Sequence, residues 1–307
     1  MPNNTKNCLI VIVGPTGIGK TSLAIELAKK LDTEIISADS RQFYKELKTG
    51  TAIPSEKELN TVKHHFISNL SVKDYYNVSM FEEQVINLLK KLFLNHKYVI
   101  MTGGSGLYIN AVCNGIDNLP NPAQTIRENI KKTYKEKGIN ELQKKLKILD
   151  PEYFSIVDIN NPKRLMRAIE VCMQTGKKYS SLRTNKSKTR NFKIIKIGLN
   201  CDRKELYSII NKRVDMMLKQ GLVNEAKNLY KLNDYKKINA LNTVGYKEIF
   251  VHLDNKINLQ QAIENIKTNT RRYAKRQLTW FKKDTSITWF HPDEKQKIID
   301  FIKKCRN

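Results

Sequence analysis

Residues 14–21, Gly14-Pro15-Thr16-Gly17-Ile18-Gly19-Lys20-Thr21, decide the fold of this chain. They match the pattern G-x-x-x-x-G-K-[ST], whose backbone N–H groups surround a phosphate group. Residues 8–13 before the loop form a short apolar run rich in β-branched side chains, as in a buried parallel strand. After the loop, Leu23, Leu27 and Leu31 recur at helical spacing. A strand, a glycine-rich loop and a helix in this order predict a phosphate site at the start of the helix.

Each position of the loop has a predicted role in that site. The phosphate-binding residues are Gly14, Pro15, Thr16, Gly17, Ile18, Gly19, Lys20 and Thr21. Lys20 is expected to reach the outer phosphate oxygens, and the Thr21 hydroxyl is a candidate ligand for Mg²⁺. A tight turn without any ligand is the alternative, but it does not explain a lysine and a hydroxyl side by side. The loop leaves open which phosphate compound binds.

Net charge points to the class of partner. The 307 residues include 55 Lys and Arg against 30 Asp and Glu, which gives a formal net charge of +25. Such an excess favours a polyanionic partner, most simply a nucleic acid. The alternative is a compositional bias toward Lys, Asn and Ile, in which the positive charge is spread over the surface and has no role in binding. A chain of this length is expected to form one domain with an insertion, or two domains.

Cysteine usage and hydropathy suggest the compartment. The five cysteines are scattered without a C-x-x-C pair, which favours a reduced cytosol and argues against a zinc site. No opening apolar segment resembles a signal peptide, and no run approaches the roughly 20 apolar residues of a membrane span. We therefore expect a cytoplasmic protein that has no membrane partner and acts as a monomer.

Two further strands are predicted to end at the same edge of the sheet as the phosphate loop. Residues 34–38 read as a strand that runs into Asp39, and residues 98–101 read as a strand that runs into Gly103-Gly104-Ser105. Ligands of open parallel sheets collect outside the carboxyl ends of the strands. These loops therefore predict a site built around the phosphate loop, although Asp39 is also a good helix N-cap residue. The fold class is α/β, a P-loop NTPase-like parallel sheet flanked by helices.

The segment between these two strands carries a histidine pair and a helix. His64 and His65 could bind a metal, but no third ligand stands at suitable spacing, so a structural role is favoured. Residues 78–95 have helical periodicity, with Ser79 as the expected N-cap.

Residues 114–191 have the character of an insertion. They are polar and basic, and they contain no strand candidate until residues 192–199 return to a strand pattern. We therefore divide the chain into a catalytic core, residues 1–113 and 192–307, and an inserted all-helical domain, residues 114–191. In the insertion, Arg164 and Arg167 share one face of a helix that begins at Pro162. A basic loop over residues 177–190 includes Arg190, and both features are either solvated faces or a platform for a polyanion.

A long basic helix is predicted over residues 259–283. Arg272, Lys275 and Arg276 lie on one side of it, interleaved with aromatic residues such as Trp280. This pattern suits a nucleic-acid backbone better than a random surface does.

Taken in order, several stretches resemble the bacterial tRNA dimethylallyltransferase family, also called the tRNA isopentenyltransferases. The resemblance covers nearly the whole chain, and the ordered set is far more specific than the phosphate loop alone. The matching stretches are residues 14–21, Asp39-Ser40 with Gln42 and Tyr44, Gly103-Gly104-Ser105 with Leu107-Tyr108, residues 163–167, Arg213 with Gly221-Leu222, residues 245–248 and residues 275–280.

The resemblance implies a reaction and its participants. A dimethylallyl group moves from dimethylallyl diphosphate to the exocyclic N6 amine of the adenosine 3′ of the anticodon, with Mg²⁺ and without ATP hydrolysis. The implied products are tRNAs that read codons beginning with U and carry N6-isopentenyladenosine. The loop would then hold a prenyl diphosphate, and the macromolecular partner would be the tRNA anticodon stem-loop.

The resemblance also implies roles for single residues. Lys20 and Arg213 would stabilise the leaving diphosphate, Asp39 would take the proton from the amine, and Ser105 would offer a hydroxyl to the RNA. The implied tRNA contacts are Asp39, Ser40, Arg41, Gln42, Ser105, Arg127, Lys163, Arg164, Leu165, Met166, Arg167, Gly245, Tyr246, Lys247, Lys275, Arg276, Gln277 and Trp280.

The sequence departs from the family pattern at two positions. Asn242 stands where family members often have arginine, and Arg272 stands where glutamine is frequent, which puts individual RNA contacts in doubt.

Three rival functions explain the sequence less well. A small-molecule P-loop kinase would give no reason for the charge of +25. A non-enzymatic RNA-binding protein would leave Lys20, Thr21 and Asp39 unexplained. A prenyltransferase that acts on free adenylate would not need the basic insertion.

Overall fold

A computed structural model describes residues 7–184 and 186–306, and these residues form two compact units. We call Met1–Asn114 with Thr189–Asn307 the sheet unit, and Gly115–Lys188 the helical unit. The predicted insertion, residues 114–191, is slightly longer than the helical unit at both ends. No helix of the described residues is long and apolar enough to cross a membrane.

The sheet unit is built on one parallel sheet, which confirms the predicted fold class. Its strands follow the spatial order β3-β2-β4-β1-β5-β6, and every neighbouring pair is parallel. The strands are β1 (Cys8–Val13), β2 (Ile35–Ser37), β3 (His64–His65), β4 (Tyr98–Thr102), β5 (Lys193–Leu199) and β6 (Ile287–Phe290). Four of them were predicted, whereas β3, with two residues, and β6, with four, were missed.

Helices cover both faces of this sheet. Along β1, Leu9, Val11 and Val13 join one buried cluster, while Ile10 and Ile12 join another, so a continuous apolar run is buried on its two sides. The helices are α1 (Lys20–Leu31), α2 (Glu56–Thr61), α3 (Val78–Leu92), α4 (Gly106–Asn114), α5 (Gln124–Leu149), α6 (Pro151–Ile156), α7 (Pro162–Thr175), α8 (Tyr179–Leu182), α9 (Arg203–Lys219), α10 (Leu222–Tyr230), α11 (Tyr246–Leu253), α12 (Leu259–Phe281) and α13 (Lys295–Arg306).

Two local predictions in the sheet unit are wrong. The N-cap of α3 is Asn77 and not Ser79, because the side-chain Oδ1 of Asn77 accepts hydrogen bonds from the backbone N–H groups of Ser79 (2.9 Å) and Met80 (3.0 Å). Arg190 is not part of an RNA-facing loop. Its guanidinium donates to Glu82 and to the carbonyl oxygen of Val112 (2.8 Å each), near the C-terminus of α4.

The histidine pair forms one edge of the sheet. His64 and His65 form β3 and pair with β2, and the imidazole of His65 lies 2.5 Å from the Glu34 carboxylate. Within residues 7–184 and 186–306, no group of three His, Cys, Asp or Glu residues is placed to hold a metal ion.

The helical unit consists of α5 to α8 around its own small core. Leu142, Leu146 and Leu165 are completely buried there, and α5 bends at Gly138, whose φ of 73° lies outside the helical region. Asp150 is also buried, and its carboxylate accepts hydrogen bonds from the backbone N–H groups of Tyr153 (2.9 Å) and Ser180 (2.6 Å). These bonds tie α8 to the start of α6, so the unit packs as a body of its own.

Candidate active site at the carboxyl edge of the sheet

The phosphate loop has the strained backbone that its sequence requires. Gly14 adopts φ 147°, and a Cβ there would lie 2.6 Å from the carbonyl oxygen of Leu199 on the neighbouring strand. Gly19 adopts φ 93° at the N-cap of α1, a conformation that favours glycine. Lys20 folds back over the loop, and its Nζ donates to the carbonyl oxygens of Gly14 (3.0 Å) and Pro15 (2.7 Å). The loop is therefore closed on itself, with the lysine at its centre.

Lys20, Asp39 and Arg213 form one electrostatic cluster. Burial lowers the pKa of Lys20 to about 7, the Asp39 carboxylate opposes this shift, and the Arg213 guanidinium adds to it. Burial also lowers the pKa of Arg213, and Asp39 again opposes the shift. A lysine with a pKa near neutrality is unusual and typical of functional sites. The structure thus brings together three of the four predicted catalytic residues, which come from α1, the end of β2 and α9.

Asp39 does not cap a helix. Its Oδ1 accepts a hydrogen bond from the backbone N–H of Arg41 (3.1 Å), and the backbone N–H of Gln42 donates to its carbonyl oxygen (3.0 Å). Both bonds belong to a tight turn after β2, which is a common use of aspartate. The helix-cap alternative is wrong, since the next α-helix, α2, begins only at Glu56.

A cavity of about 360 Å³ lies in the sheet unit beside this cluster. Its lining combines polar groups with an apolar wall. The polar groups include Thr16, Asp39, Ser40, Arg41, Arg213 and Arg276. The apolar wall comes from α9, α12 and the turn before α11, and it consists of Ile210, Val214, Met217, Val244 and Ile266. Such a lining suits a ligand that has both a charged and an apolar part.

Ser105 joins two of the loops at this edge. Its hydroxyl accepts a hydrogen bond from the backbone N–H of Ser40 (2.9 Å) and lies 3.1 Å from the Ser40 hydroxyl. The backbone N–H of Ser105 donates to the carbonyl oxygen of Ala38 (3.2 Å). Ser105 therefore holds the turn that carries Asp39, a role that the sequence did not suggest.

Glu225 is a residue of the site that sequence reasoning missed. Its carboxylate accepts hydrogen bonds from the backbone N–H groups of Thr49 (2.9 Å) and Gly50 (3.1 Å) and from the Tyr246 hydroxyl (2.6 Å). Gln42 holds the same segment from the other side, since its Nε2 donates to the carbonyl oxygen of Thr51 (3.3 Å). Gly50 and Thr51 line the cavity. No local sequence pattern predicts this role for Glu225, because an acidic residue near the start of a helix is usually solvated.

The residues assigned to RNA fall into three groups. Lys163, Arg164, Lys247, Lys275 and Arg276 have exposed side chains, and Trp280 is 47 % exposed although its indole packs on Gly106. The half-buried group consists of Asp39, Ser40, Arg41, Gln42, Ser105, Met166, Arg167 and Arg127, the last of which lies 3.9 Å from Glu170.

The third group is buried. Leu165 and Tyr246 have no exposed surface, and Gln277 is 5 % exposed. The structure therefore offers none of these three side chains to RNA, because each is enclosed by the core of its unit. Gly245 is also buried, and its φ of 104° turns the chain into α11. The prediction of direct RNA contacts by the Leu165, Tyr246 and Gln277 side chains does not fit this burial.

Comparisons with known proteins agree on the family. The sequence model of the family described as IPP transferase matches residues 42–284. A tRNA dimethylallyltransferase from Christiangramia forsetii is 54 % identical over 98 % of this chain and 99 % of its own length. The tRNA dimethylallyltransferase 1 of Bacteroides fragilis is 48 % identical over 97 % of this chain and 98 % of its own length.

Solved structures show the same architecture. The tRNA isopentenylpyrophosphate transferase of Bacillus halodurans is 33 % identical and superposes with a TM-score of 0.72, covering 98 % of this chain and 97 % of that one. A eukaryotic dimethylallyltransferase acting on tRNA is 26 % identical with a TM-score of 0.79, covering 97 % of this chain and 80 % of that one.

Proposed function

The chain belongs to the IPP transferase family, and we propose that it is a tRNA prenyltransferase whose donor is dimethylallyl diphosphate. The dimethylallyl group moves to the exocyclic N6 amine of the adenosine immediately 3′ of the anticodon. The product is N6-isopentenyladenosine in tRNAs that read codons beginning with U. One observation carries this proposal: the cavity is lined by Thr16 of the phosphate loop, by the charged groups of Asp39 and Arg213 and by an apolar wall, and Lys20 lies close enough to Asp39 and Arg213 for both to act on its pKa.

The charged groups of the cavity serve the leaving diphosphate. When the allylic C–O bond breaks, negative charge grows on the diphosphate, and preorganised cations stabilise it most effectively where water is excluded. Lys20 and Arg213 are such cations, and the N-terminus of α1 presents backbone N–H groups beside them. Since Ile210, Val214 and Met217 lie in the same cavity, the five-carbon prenyl group has an apolar surface to pack against.

Asp39 acts as the general base for the N6 amine, which is the nucleophile. The exocyclic amine of adenine is a weak nucleophile and loses a proton as the new C–N bond forms, so a positioned carboxylate is needed. Asp39 lines the cavity, and its turn is fixed by the Ser105 hydroxyl and by the Arg41 N–H. We assign the proton transfer from N6 to Asp39.

A Mg²⁺ ion fits this site if substrate oxygens supply most of its ligands. Thr21, the second residue of α1, is half-buried and offers one hydroxyl oxygen. Mg²⁺ is commonly held by one or two protein oxygens together with substrate phosphates and water. When bound, it would neutralise part of the diphosphate charge.

RNA binding follows from the exposed cations. An adenine cannot react while it is stacked, so the nucleotide has to be turned out of the anticodon loop into the cavity. Arg41 and Arg276 line the cavity and are suited to the phosphates next to that nucleotide. Lys163 and Arg164 of the helical unit offer further exposed cations to the anticodon stem-loop.

The test is a transfer assay with competing substrates. The protein is incubated with labelled dimethylallyl diphosphate and an unmodified tRNA transcript, and parallel reactions contain labelled ATP or free AMP. We expect label in the tRNA only, at the adenosine 3′ of the anticodon. Phosphorylation of a small acceptor, or prenylation of AMP at an equal rate, would contradict the proposal.

A further inference from the structure

Gln277 connects two loops of the sheet unit from inside α12. Its Oε1 accepts a hydrogen bond from the backbone N–H of Thr16 (2.8 Å), and its Nε2 donates to the carbonyl oxygen of Gly104 (3.0 Å). Its neighbours Lys275 and Arg276 are exposed, whereas Gln277 is 5 % exposed. The side chain thus points into the sheet unit, and its uncharged amide donates one hydrogen bond and accepts another at the same time.

The two loops that it joins both belong to the candidate active site. Thr16 is part of the phosphate loop and lines the cavity. Gly104 precedes Ser105, whose hydroxyl holds the turn that carries Asp39. The fit at Gly104 is tight, because a Cβ there would lie 2.1 Å from the Gln277 Nε2. Hydrogen bonds therefore connect the phosphate loop through Gln277 to Gly104, and the next residue in the chain, Ser105, bonds to the Asp39 turn.

We propose that Gln277 is a positioning residue, which sets the phosphate loop at a fixed distance from the Ser105 and Asp39 loops, and not an RNA contact. The N6 amine, whose proton Asp39 takes, and the leaving diphosphate lie on opposite sides of the reacting carbon, so the distance between Asp39 and the phosphate loop decides how well the two substrates are aligned for transfer. Misplacement by about 1 Å lowers rates by roughly 10²-fold in such reactions. This inference rests on the proposed function, and it adds a residue that would act without touching either substrate.

The first variant is Gln277→Leu, which keeps most of the volume and removes both hydrogen bonds. We expect the Kd for inorganic pyrophosphate to rise about tenfold, as for the loss of one buried hydrogen bond, and kcat for prenyl transfer to fall by about 10- to 100-fold. The Kd for an anticodon stem-loop should stay within about twofold of the wild-type value. A rise in the stem-loop Kd with an unchanged pyrophosphate Kd would overturn the proposal and make Gln277 an RNA contact.

The second variant, Gln277→Glu, tests the role by its pH dependence. The ionised carboxylate can accept from the Thr16 N–H but repels the Gly104 carbonyl oxygen, whereas the protonated acid makes both bonds. The ratio of variant to wild-type kcat/KM for dimethylallyl diphosphate should therefore rise as the pH falls from about 8 to 6. A ratio that does not change with pH would contradict the positioning role, and this test remains valid if Gln277→Leu does not fold.

Thr279→Ala is the matched control, because Thr279 is exposed on the same helix and its hydroxyl bonds only to the carbonyl oxygen of Lys275 in its own helix. It should change neither the pyrophosphate Kd nor the stem-loop Kd. The pyrophosphate measurement also separates the two proposals. If the wild-type protein prenylates no tRNA, the proposed function fails, while the effect of Gln277 on the phosphate loop is still decided by pyrophosphate binding.

Discussion

The sheet unit and the helical unit place positive charge in opposite environments. In the sheet unit, Lys20 and Arg213 are half-buried, and burial lowers the pKa of both. In the helical unit, Lys163 and Arg164 have exposed side chains on the first turn of α7. Taking a cation out of water costs free energy, but such a cation acts strongly on one ligand group. An exposed cation costs little free energy and acts weakly on any nearby phosphate.

This difference in environment suits one set of cations to catalysis and the other to RNA binding. The half-buried cluster of Lys20, Asp39 and Arg213 is suited to stabilising charge on one leaving group, because fewer water molecules compete with it than at an exposed surface. The exposed cations are suited to a long polyanion, because each phosphate contact releases counterions and adds a small increment of affinity. A single substitution should therefore be severe in the first environment and mild in the second. The following predictions test that contrast, from the largest expected effect to the smallest.

Asp39→Asn should give the largest effect. The amide keeps the size of the side chain and the hydrogen bond to the Arg41 N–H, but it cannot take a proton at neutral pH. We expect single-turnover prenyl transfer at saturating tRNA to slow by a factor of about 10² to 10⁴. The thermal melt and the pyrophosphate Kd should stay near the wild-type values. A variant that melts normally and transfers at the wild-type rate would remove Asp39 from the mechanism.

Lys20→Ala should follow closely. Removing one buried cation from the leaving-group site should lower the transfer rate by about 10² to 10³-fold. The Kd for the anticodon stem-loop, measured by filter binding, should change by less than about twofold, because Lys20 bonds only to its own loop. An equal loss of transfer and RNA binding would show that the two environments are not separate.

The pH dependence of diphosphate binding sharpens the contrast further. The pKa of Lys20 in the free protein is about 7, since burial lowers it, and a bound diphosphate would raise it. Affinity should therefore be full below pH 7 and fall by up to about tenfold per unit as the pH rises above 7, because binding then requires uptake of a proton. Calorimetry measures the affinity for pyrophosphate at each pH. The ratio of the wild-type affinity to that of the Lys20→Met variant removes the contribution of pyrophosphate's own protonation. A constant ratio would contradict the buried, neutral lysine.

Arg164, which is exposed, and Arg167, which is half-buried, test the cations of the helical unit. If both contact RNA phosphates, the double alanine variant should flatten the slope of log K against log salt by about 1.4 to 1.8, which is 0.7 to 0.9 for each contact. Its pyrophosphate Kd should not change. An unchanged salt slope would make these arginines a solvated face.

Asn161→Ala should give the smallest effect. Asn161 caps α7, and its side-chain oxygen accepts a hydrogen bond from the backbone N–H of Arg164 (3.3 Å). Loss of this cap should lower the free energy of unfolding by about 1 kcal/mol, as measured by denaturant titration. Pyrophosphate binding should be unaffected, since Asn161 belongs to the helical unit and the phosphate loop to the sheet unit. A large loss of pyrophosphate affinity would show that the units are coupled.

Local patterns were sufficient for the elements that carry the phosphate site. The glycines at residues 14–21 and the apolar run of β1 act over neighbouring residues, so their conformations are dictated by sequence alone. The position of Asp39 after β2 was also predictable, because strands of a parallel sheet end at one edge. Its role as a helix cap could not be excluded before the turn after β2 was known.

The contacts of single side chains were beyond local patterns. Arg190 was grouped with a basic loop that was read as a solvated face or a platform for a polyanion, yet it pairs with Glu82, which lies 108 residues away in sequence. Glu225 bonds to Gly50 across 175 residues, and nothing near Glu225 in the sequence predicts this.

The sequence by itself thus determined the phosphate loop, the parallel sheet and the family, because each depends on residues that are close together or on motifs in a fixed order. The tertiary structure alone decided which side chains face the site and which face solvent. Gln277 shows the reason. Helical periodicity and a basic neighbourhood place it on α12, but its partner Thr16 is 261 residues away, and only the packing of α12 brings the two together.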